Sequence, residues 1–308
     1  MAAEEPGRAV PMTAKLRPGG GNSDARPLAH DRVAARGASP SAWLYVLHGI
    51  FGAGRNWGSV ARGLVERRPD WGAVLVDLRG HGGSTGLPGP HTVAAAAADL
   101  ARLAGGGRGA GGGEGPEGSE EPDGPHAVLG HSFGGKVALA YAAVARPAPA
   151  QTWIIDSTPA PREPAGSAWR MLAALEELTG PFDSRGDAVE ALGARGFGEG
   201  VARWMSSNLE RGEGGLAWGI DAAVMRALLE DFFPLDLWGV LEAPPGDGAV
   251  EVVAATESDV LRPEDLARIE GLAAGRRVRL HRVEGGHWLN ADNPDALVDL
   301  LAGALPEA

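Results

Sequence analysis

The sequence has no cysteine among its 308 residues. Disulfide bonds, thiolate metal sites and a cysteine nucleophile are therefore excluded together. Positive charge is also in short supply, because 28 Lys and Arg face 40 Asp and Glu, which gives a formal net charge of -12. Since no cluster of basic residues offsets this balance, we do not expect a nucleic-acid partner.

Long apolar runs are missing as well. No stretch approaches the roughly 18 to 20 apolar residues that a membrane helix requires, and residues 1–26 lack the apolar run of a secretory signal. This tail contains several arginines, but Glu4, Glu5 and Asp24 make it a poor transit peptide, so we expect it to be disordered. We expect a soluble intracellular protein, in the cytoplasm or, if the tail is a transit peptide, in a mitochondrion or plastid.

Apolar segments alternate with segments of helical periodicity through most of the chain. The apolar segments, each bounded by turn residues, are WLYVLHG, AVLVDLRG, HAVLGHS, TWIID, VEVVAAT and VRLHRVEG. Strands that are apolar throughout and alternate with helices indicate a mostly parallel sheet covered by helices on both faces. With 44% hydrophobic residues, a chain of this length can bury such a core.

Two segments depart from this alternation. Residues 105–125 are rich in glycine and acidic residues, which predicts a flexible surface insertion and not a phosphate-binding loop. Residues 159–245 lose the strand pattern and become helical, so we predict a helical cap inserted into the sheet domain. Residues 27–158 and 246–308 would then form the core.

The pattern G-x-S-x-G occurs around Ser132 (GHSFG) and around Ser84 (GGSTG). With 48 glycines the pattern itself decides nothing, but its context does. A nucleophile turn needs a strand leading directly into the serine and a helix leaving directly after it. Both flank Ser132, whereas Ser84 runs into TGLPGPH, where prolines and glycines prevent an immediate helix. Ser132 is therefore the predicted nucleophile, and Ser84 is interpreted as a turn residue.

The segment GHSFGGK also matches the start of a nucleotide-binding P-loop. A P-loop continues with Ser or Thr as a ligand of Mg²⁺, and here Val137 occupies that position. We therefore expect no bound nucleotide, and Lys136 is interpreted as a helix-surface or packing residue.

A serine hydroxyl becomes a good nucleophile when a positioned imidazole accepts its proton. Downstream of Ser132 the chain has only His281, inside a predicted strand, and His287, in the loop between the last strand and the last helix. His287 is the predicted general base. Two carboxylates compete to orient it: Asp156, which ends the strand TWIID, and Asp259, in the turn TESD. Glu257 is a poorer third candidate because it comes earlier in that turn.

Negative charge on the substrate carbonyl oxygen requires two backbone N–H donors. Phe133, just after the nucleophile, is predicted to supply one, and Ile50 or Phe51 of the loop HGIFG the other. His48 in the same loop is interpreted as structural, bonding the turn.

Six segments resemble, in order, the motifs of one protein family: LHGIFGAGRNW, VDLRGHGGS, GHSFGGK, IDSTP, SSNLERGEGGLAWGID and GGHWLNADNP. The family is that of α/β-hydrolase domain-containing protein eleven and its bacterial esterase relatives, within the α/β-hydrolase superfamily of serine hydrolases. The resemblance extends from LAHDRV (28–33) to the last helix. The segment SSNLERGEGGLAWGID, with Trp218, is more particular to the family than the other motifs. The Gly-rich insertion and the long tail depart from the family.

The resemblance implies an α/β-hydrolase fold with an inserted helical cap, and hydrolysis of carboxylic esters or thioesters of short to medium acyl chains through an acyl-enzyme. It implies no metal and no organic cofactor, and a small acyl ester or thioester as the binding partner. It favours Asp156 as the acid, although Asp259 occupies the position usual elsewhere in the superfamily.

Two other functions use the same fold. A carbon–carbon bond hydrolase or lyase would share the triad and differ only in the pocket, and a small-molecule receptor can retain the triad. Apolar residues of the predicted cap either line an acyl pocket or form ordinary cap core. They are Trp169, Met171, Trp204, Met205, Trp218, Phe232 and Phe233.

Overall fold

The computed structural model describes residues 26–105, 124–275 and 277–308. The predicted disordered tail (1–26) and the predicted flexible insertion (105–125) thus lie almost entirely outside the described residues.

A seven-stranded sheet forms the centre of the fold, in the order β1-β3-β2-β4-β5-β8-β9. Neighbouring strands are parallel except for β1, which pairs with β3 in the antiparallel direction. The six parallel strands are those that the apolar segments predict. The sequence analysis missed β1 because its residues, HDRV, are mostly polar. The strands are β1 (His30–Val33), β2 (Ala42–Leu47), β3 (Trp71–Val76), β4 (Ala127–His131), β5 (Gln151–Ile155), β6 (Leu209–Gly212), β7 (Gly215–Trp218), β8 (Ala249–Ala255) and β9 (Val278–Val283).

Helices cover both faces of this sheet. Alternate residues of β2 enter two separate apolar clusters: Leu44 and Val46 pack with α1 and α11, whereas Tyr45 and Leu47 pack with α2 and α3. This alternation follows from the two-residue period of a strand. The described helices are α1 (Gly58–Arg67), α2 (Val93–Gly105), α3 (Phe133–Val144), α4 (Gly166–Glu177), α5 (Arg185–Gly193), α6 (Glu199–Ser206), α7 (Ala222–Phe232), α8 (Trp238–Glu242), α9 (Pro263–Ala273), α10 (Leu289–Asp292) and α11 (Pro294–Ala304).

The segment between β5 and β8, here called the inserted segment, contains helices α4 to α8 and the antiparallel hairpin β6–β7. The hairpin is an element that the prediction of a helical cap did not include. The hairpin turn needs residues that accept positive φ, and Gly214 and Gly215 have φ values of 87° and 140°. Met171, Met205 and Leu228 of this segment share an apolar cluster with the sheet. The division of the chain into core and cap at residues 159 and 245 stays a prediction.

None of the described helices combines the length and the apolar character needed to cross a membrane.

Candidate active site

Ser132 occupies a one-residue turn between β4 and α3, with φ 52° and ψ -115°. Two glycines make this turn possible. A Cβ atom on Gly130 would lie 1.9 Å from the carbonyl oxygen of Gly134, and a Cβ atom on Gly134 would lie 2.6 Å from the carbonyl oxygen of His48. The hydroxyl of Ser157 donates a 2.6 Å hydrogen bond to the carbonyl of Ser132. The glycines of G-x-S-x-G are thus required by close backbone approach.

Backbone strain is concentrated around this turn. Among the described residues other than glycine, positive φ occurs at Phe51 (62°), Ser132 (52°) and Asp156 (43°). These residues follow β2, β4 and β5, which are neighbours in the sheet. Strained residues persist where the surrounding structure holds them, and they cluster at functional sites. The strain therefore indicates a site at the carboxyl ends of these strands.

His287 and Asp156 form a hydrogen-bonded pair. Nδ1 of His287 donates to Oδ2 of Asp156 at 2.7 Å. The carboxylate also accepts from the hydroxyl of Ser258 at 2.6 Å and from the N–H of Ala255 at 3.3 Å. Asp156 is 1% exposed, whereas the His287 side chain is 25% exposed. Because Nδ1 holds a hydrogen, Nε2 is free to accept a proton.

In the turn TESD that follows β8, the side chains of the alternative acid Asp259 and of Glu257 are both exposed. This turn instead contributes Ser258, whose hydroxyl bonds Asp156. Of the two predicted acids, the structure brings Asp156 to His287.

Two residues set aside in the sequence analysis have structural roles. His281 lies in β9, where its Nε2 is 2.8 Å from buried Glu251 and its ring stacks on Trp153. Ser84 is buried in a 3-10 turn, and its hydroxyl accepts a 2.9 Å hydrogen bond from the N–H of Ala29.

Three buried imidazoles brace the loops around Ser132. His48 accepts from the N–H of Leu78 at 3.0 Å, and burial lowers its pKa to about 4. His131 donates to the carbonyl of His287 at 2.7 Å, and burial lowers its pKa to about 3. Burial likewise lowers the pKa of His81 to about 3. All three are neutral at neutral pH, as the structural interpretation of His48 requires.

The backbone N–H groups predicted to bind the oxyanion differ in whether another group in the protein already accepts their hydrogen. Phe133 is the first residue of α3, so its N–H has no acceptor within the helix. The N–H of Phe51, in contrast, donates to Nε2 of His81 at 3.1 Å. The prediction of Phe51 as a donor is therefore corrected, because this hydrogen bond already occupies it. Ile50 is the candidate that is left. The sequence analysis missed His81, which the motif RGHG contains.

Ser132 and His287 line one cavity, which also includes Ile50 and Phe51. Its empty volume is about 850 Å³, including the space open to solvent at its mouth. The wall includes the aromatic side chains of Trp57, Phe197, Trp204 and Trp288. Of the seven apolar residues proposed from the sequence, Met171 and Trp204 line this cavity. The others lie in packing contacts such as Trp169 on Phe233 and Phe232 on Phe133.

Lys136 is fully buried, so of the two interpretations offered, the packing residue agrees with the structure and the helix-surface position is wrong. Its ammonium donates to the carbonyl oxygens of Ala160 (3.0 Å), Phe232 (2.9 Å) and Leu235 (2.7 Å). Burial lowers its pKa to about 7. Lys136 thus ties α3 to the inserted segment.

Within the part of the chain that the structure describes, no group of three or more His, Asp or Glu side chains could hold a metal ion. The serine, imidazole and carboxylate at this site suit acyl transfer by general acid–base chemistry.

Two curated proteins that this chain resembles are the same enzyme from two organisms. The sn-1-specific diacylglycerol lipase ABHD11 of Mus musculus is 23% identical, over 99% of this chain and 95% of that protein. ABHD11 of Xenopus tropicalis is 26% identical, over 83% of this chain and 75% of that protein. The resemblance drawn from the six motifs is confirmed.

Solved structures share the architecture. A marine microorganism esterase superposes with a TM-score of 0.69 at 21% identity, over 91% of this chain and 99% of that one. The thioesterase domain from the curacin biosynthetic pathway gives a TM-score of 0.64 at 22% identity, over 90% and 99%. At these identities the likeness concerns the fold. The sequence model described as "Alpha/beta hydrolase family" matches residues 44–300. The chain therefore belongs to the alpha/beta hydrolase family.

Proposed function

We propose that the protein hydrolyses carboxylic esters or thioesters of short to medium acyl chains through an acyl-enzyme on Ser132. One observation carries the proposal: the strained Ser132 shares a cavity with His287, whose Nδ1 is held by buried Asp156 at 2.7 Å. This arrangement leaves Nε2 of His287 as the proton acceptor for the serine hydroxyl.

In the first half-reaction Ser132 Oγ attacks the substrate carbonyl while His287 Nε2 accepts the hydroxyl proton. The carboxylate of Asp156 stabilises the resulting imidazolium without itself being protonated. His287 then gives the proton to the departing alcohol or thiol. The acyl group is left as an ester on Ser132.

The negative charge of each tetrahedral intermediate lies on the former carbonyl oxygen. The N–H of Phe133, at the amino terminus of α3, and the N–H of Ile50 are the proposed donors to it. The positive end of the α3 dipole adds to this stabilisation. Donors of this kind act because they are already oriented before the charge develops.

In the second half-reaction water attacks the acyl carbonyl and His287 accepts a proton from the water. The tetrahedral intermediate then collapses, Ser132 leaves as the hydroxyl with the proton from His287, and a carboxylic acid is released. No cofactor takes part in either step.

The shape and lining of the cavity support the substrate class. Its wall of Trp57, Phe197, Trp204 and Trp288 is suited to an apolar acyl chain. The relatives are a diacylglycerol lipase, an esterase and a thioesterase domain, which supports an ester or thioester linkage.

The test is a series of p-nitrophenyl esters from acetate to palmitate, with wild type, Ser132→Ala and His287→Ala. We expect multiple turnover by wild type with an optimum at short to medium chains. Loss of either side chain is expected to reduce kcat about 10⁴-fold or more. Inertness of wild type on every ester, or an active Ser132→Ala variant, would contradict the proposal, and tight ligand retention without turnover would favour a receptor.

A further inference from the structure

Phe51 is held in a strained backbone conformation by hydrogen bonds on both sides. The N–H of Gly52 donates to the carbonyl of Gly49 at 3.0 Å, which closes a β-turn with Phe51 as its third residue. With φ 62° at that position the turn has the type II form, which favours glycine there. A bulky residue in this conformation relaxes unless its surroundings oppose it.

Two side chains bond the peptide groups on either side of Phe51. His81, from the core, accepts the hydrogen of the Phe51 N–H at 3.1 Å. Asn208, which follows α6 in the inserted segment, donates through Nδ2 to the carbonyl of Phe51 at 2.9 Å. Asn208 is itself fixed through its backbone, since its N–H donates to Met205 and its carbonyl accepts from Gly219. The amide side chain thus connects the inserted segment to this turn.

The same turn carries Ile50, the proposed second oxyanion donor. A change from the type II to the type I form flips the peptide between Ile50 and Phe51. Such a flip would turn the carbonyl of Ile50 toward the place where the Phe51 N–H now meets His81. The hydrogen bond to His81 excludes this flip, and the hydrogen bond from Asn208 fixes the carbonyl of Phe51, one peptide further along the turn.

We propose that Asn208 is a positioning residue: its hydrogen bond to the carbonyl of Phe51 fixes the place of this turn against the inserted segment, and so keeps the N–H of Ile50 within reach of the oxyanion. The inference rests on the proposed function. It predicts an effect on the transition state and little effect on substrate binding.

The test compares Asn208→Asp, which keeps the size but removes the donor, with wild type on p-nitrophenyl butyrate. We expect kcat to fall about 10- to 100-fold, less than the roughly 10² to 10³ for removing an oxyanion donor outright, with KM little changed. Affinity for a phenylboronic acid, whose tetrahedral adduct places an oxygen in the oxyanion hole, should fall in parallel, while inhibition by 1-butanol, which has no carbonyl oxygen, should not change. A merely structural role would change both affinities or neither.

Phe51→Gly provides the matched background. Glycine adopts positive φ without strain, so the turn should depend less on the contact with Asn208. Asn208→Asp is then expected to reduce kcat by a smaller factor in Phe51→Gly than in wild type. Equal factors in both backgrounds, or an unchanged kcat for Asn208→Asp, would overturn the positioning role. Failure of the proposed function itself would appear separately, as an inactive wild type.

A second inference concerns the rim of the same cavity. Among the described residues that line it, Arg170 of α4 is the one Asp, Glu, Lys or Arg. Its side chain is exposed, and its guanidinium lies 5.8 Å from the ring centre of Phe197. Within the described ranges no carboxylate forms an ion pair with it, although the chain has a net charge of -12. An arginine without a carboxylate partner at a ligand cavity is suited to bind a carboxylate or phosphate.

We infer that Arg170 selects substrates carrying a negative charge distant from the scissile bond, on the acyl chain or on the leaving group. This inference also rests on the proposed function. The acyl arm of the test compares mono-p-nitrophenyl glutarate with p-nitrophenyl butyrate. The leaving-group arm compares 4-(butyryloxy)benzoate with its methyl ester.

In one arm, wild type is expected to prefer the anionic ester about fivefold in kcat/KM. An exposed ion pair contributes a free energy of about this size. The preference should become smaller at high salt, which screens the charges. Arg170→Gln should abolish this preference, and Arg170→Lys should retain part of it. The arm that shows the preference identifies the charged half of the substrate. An unchanged preference in Arg170→Gln, or no preference in either arm while neutral esters are hydrolysed, would overturn the inference.

Discussion

The hydrogen bonds around Asp156 determine how an asparagine in its place would be oriented toward His287. Oδ1 of Asp156 accepts from the N–H of Ala255, which can only donate, so the amide oxygen of the variant must keep that place. The amide nitrogen then takes the place of Oδ2, facing Ser258 and Nδ1 of His287. The Ser258 hydroxyl can turn from donor to acceptor. Nδ1 of His287 must also become an acceptor.

The hydrogen of the neutral imidazole therefore moves to Nε2, the atom that has to accept the proton of Ser132. The same change of tautomer reduces kcat about 10⁴-fold in serine proteases, which corresponds to about 5.4 kcal/mol of transition-state stabilisation. Asp156 is 1% exposed and does not line the cavity, so KM should change little.

Asp259→Asn is the matched control, because Asp259 is the alternative acid predicted from the sequence and its side chain is exposed. Its kcat is expected within about twofold of wild type, as for other surface substitutions. The assay is kcat and KM on p-nitrophenyl butyrate, with thermal unfolding to verify folding. A kcat for Asp156→Asn within tenfold of wild type, or a large loss in Asp259→Asn, would refute the reasoning.

Three further changes test other parts of the fold. Gly130→Ala should prevent the nucleophile turn, because its Cβ atom would lie 1.9 Å from the carbonyl oxygen of Gly134; a soluble, active variant would contradict this. Ser84→Ala should leave kcat unchanged but lower the free energy of unfolding by about 1 to 3 kcal/mol, because the N–H of Ala29 loses its buried acceptor; denaturant melts measure this. Burial holds the pKa of Lys136 in the folded protein at about 7, below the 10.5 of a lysine in water, so the unfolded chain binds more protons between these values. Stability should therefore rise from about pH 7 toward pH 10.5 in wild type, and an identical rise in Lys136→Met would show that another group causes it.

The strands and the nucleophile could be predicted because local sequence determines them. Six apolar segments bounded by turns gave the six parallel strands, since strands buried on both faces are apolar throughout. Ser132 was distinguished from Ser84 by the strand before it and the helix after it. The motif RGEGG also carries a signal for the β6–β7 turn, because two adjacent glycines accept the positive φ of such a turn. The prediction of a helical segment over these residues does not use that signal.

The choice between Asp156 and Asp259 depends on geometry that the sequence does not display. Both follow neighbouring strands, β5 and β8, and the direction of the Asp156 side chain depends on its φ of 43°. The engagement of the Phe51 N–H by His81 joins residues 30 positions apart, so a loop motif could not reveal it.

The burial of Lys136, in contrast, had a usable signal. Residues 133–142 of α3 are all buried, and apart from Lys136 they are small or apolar. A helix that is apolar all round lies inside a protein. A lysine in such a helix should be expected to reach buried carbonyl oxygens, as Lys136 does.

The central claim, that His287 and Asp156 activate Ser132 as a nucleophile, is tested most directly by labelling with a fluorophosphonate. An activated serine hydroxyl displaces fluoride from this reagent and becomes phosphonylated at oxygen, and mass spectrometry of the digested protein locates the adduct. The account predicts one adduct, on Ser132, formed rapidly in wild type and Asp259→Asn, slowly in His287→Ala and Asp156→Asn, and absent from Ser132→Ala. An adduct on another serine, or equal labelling rates in wild type and His287→Ala, would contradict it.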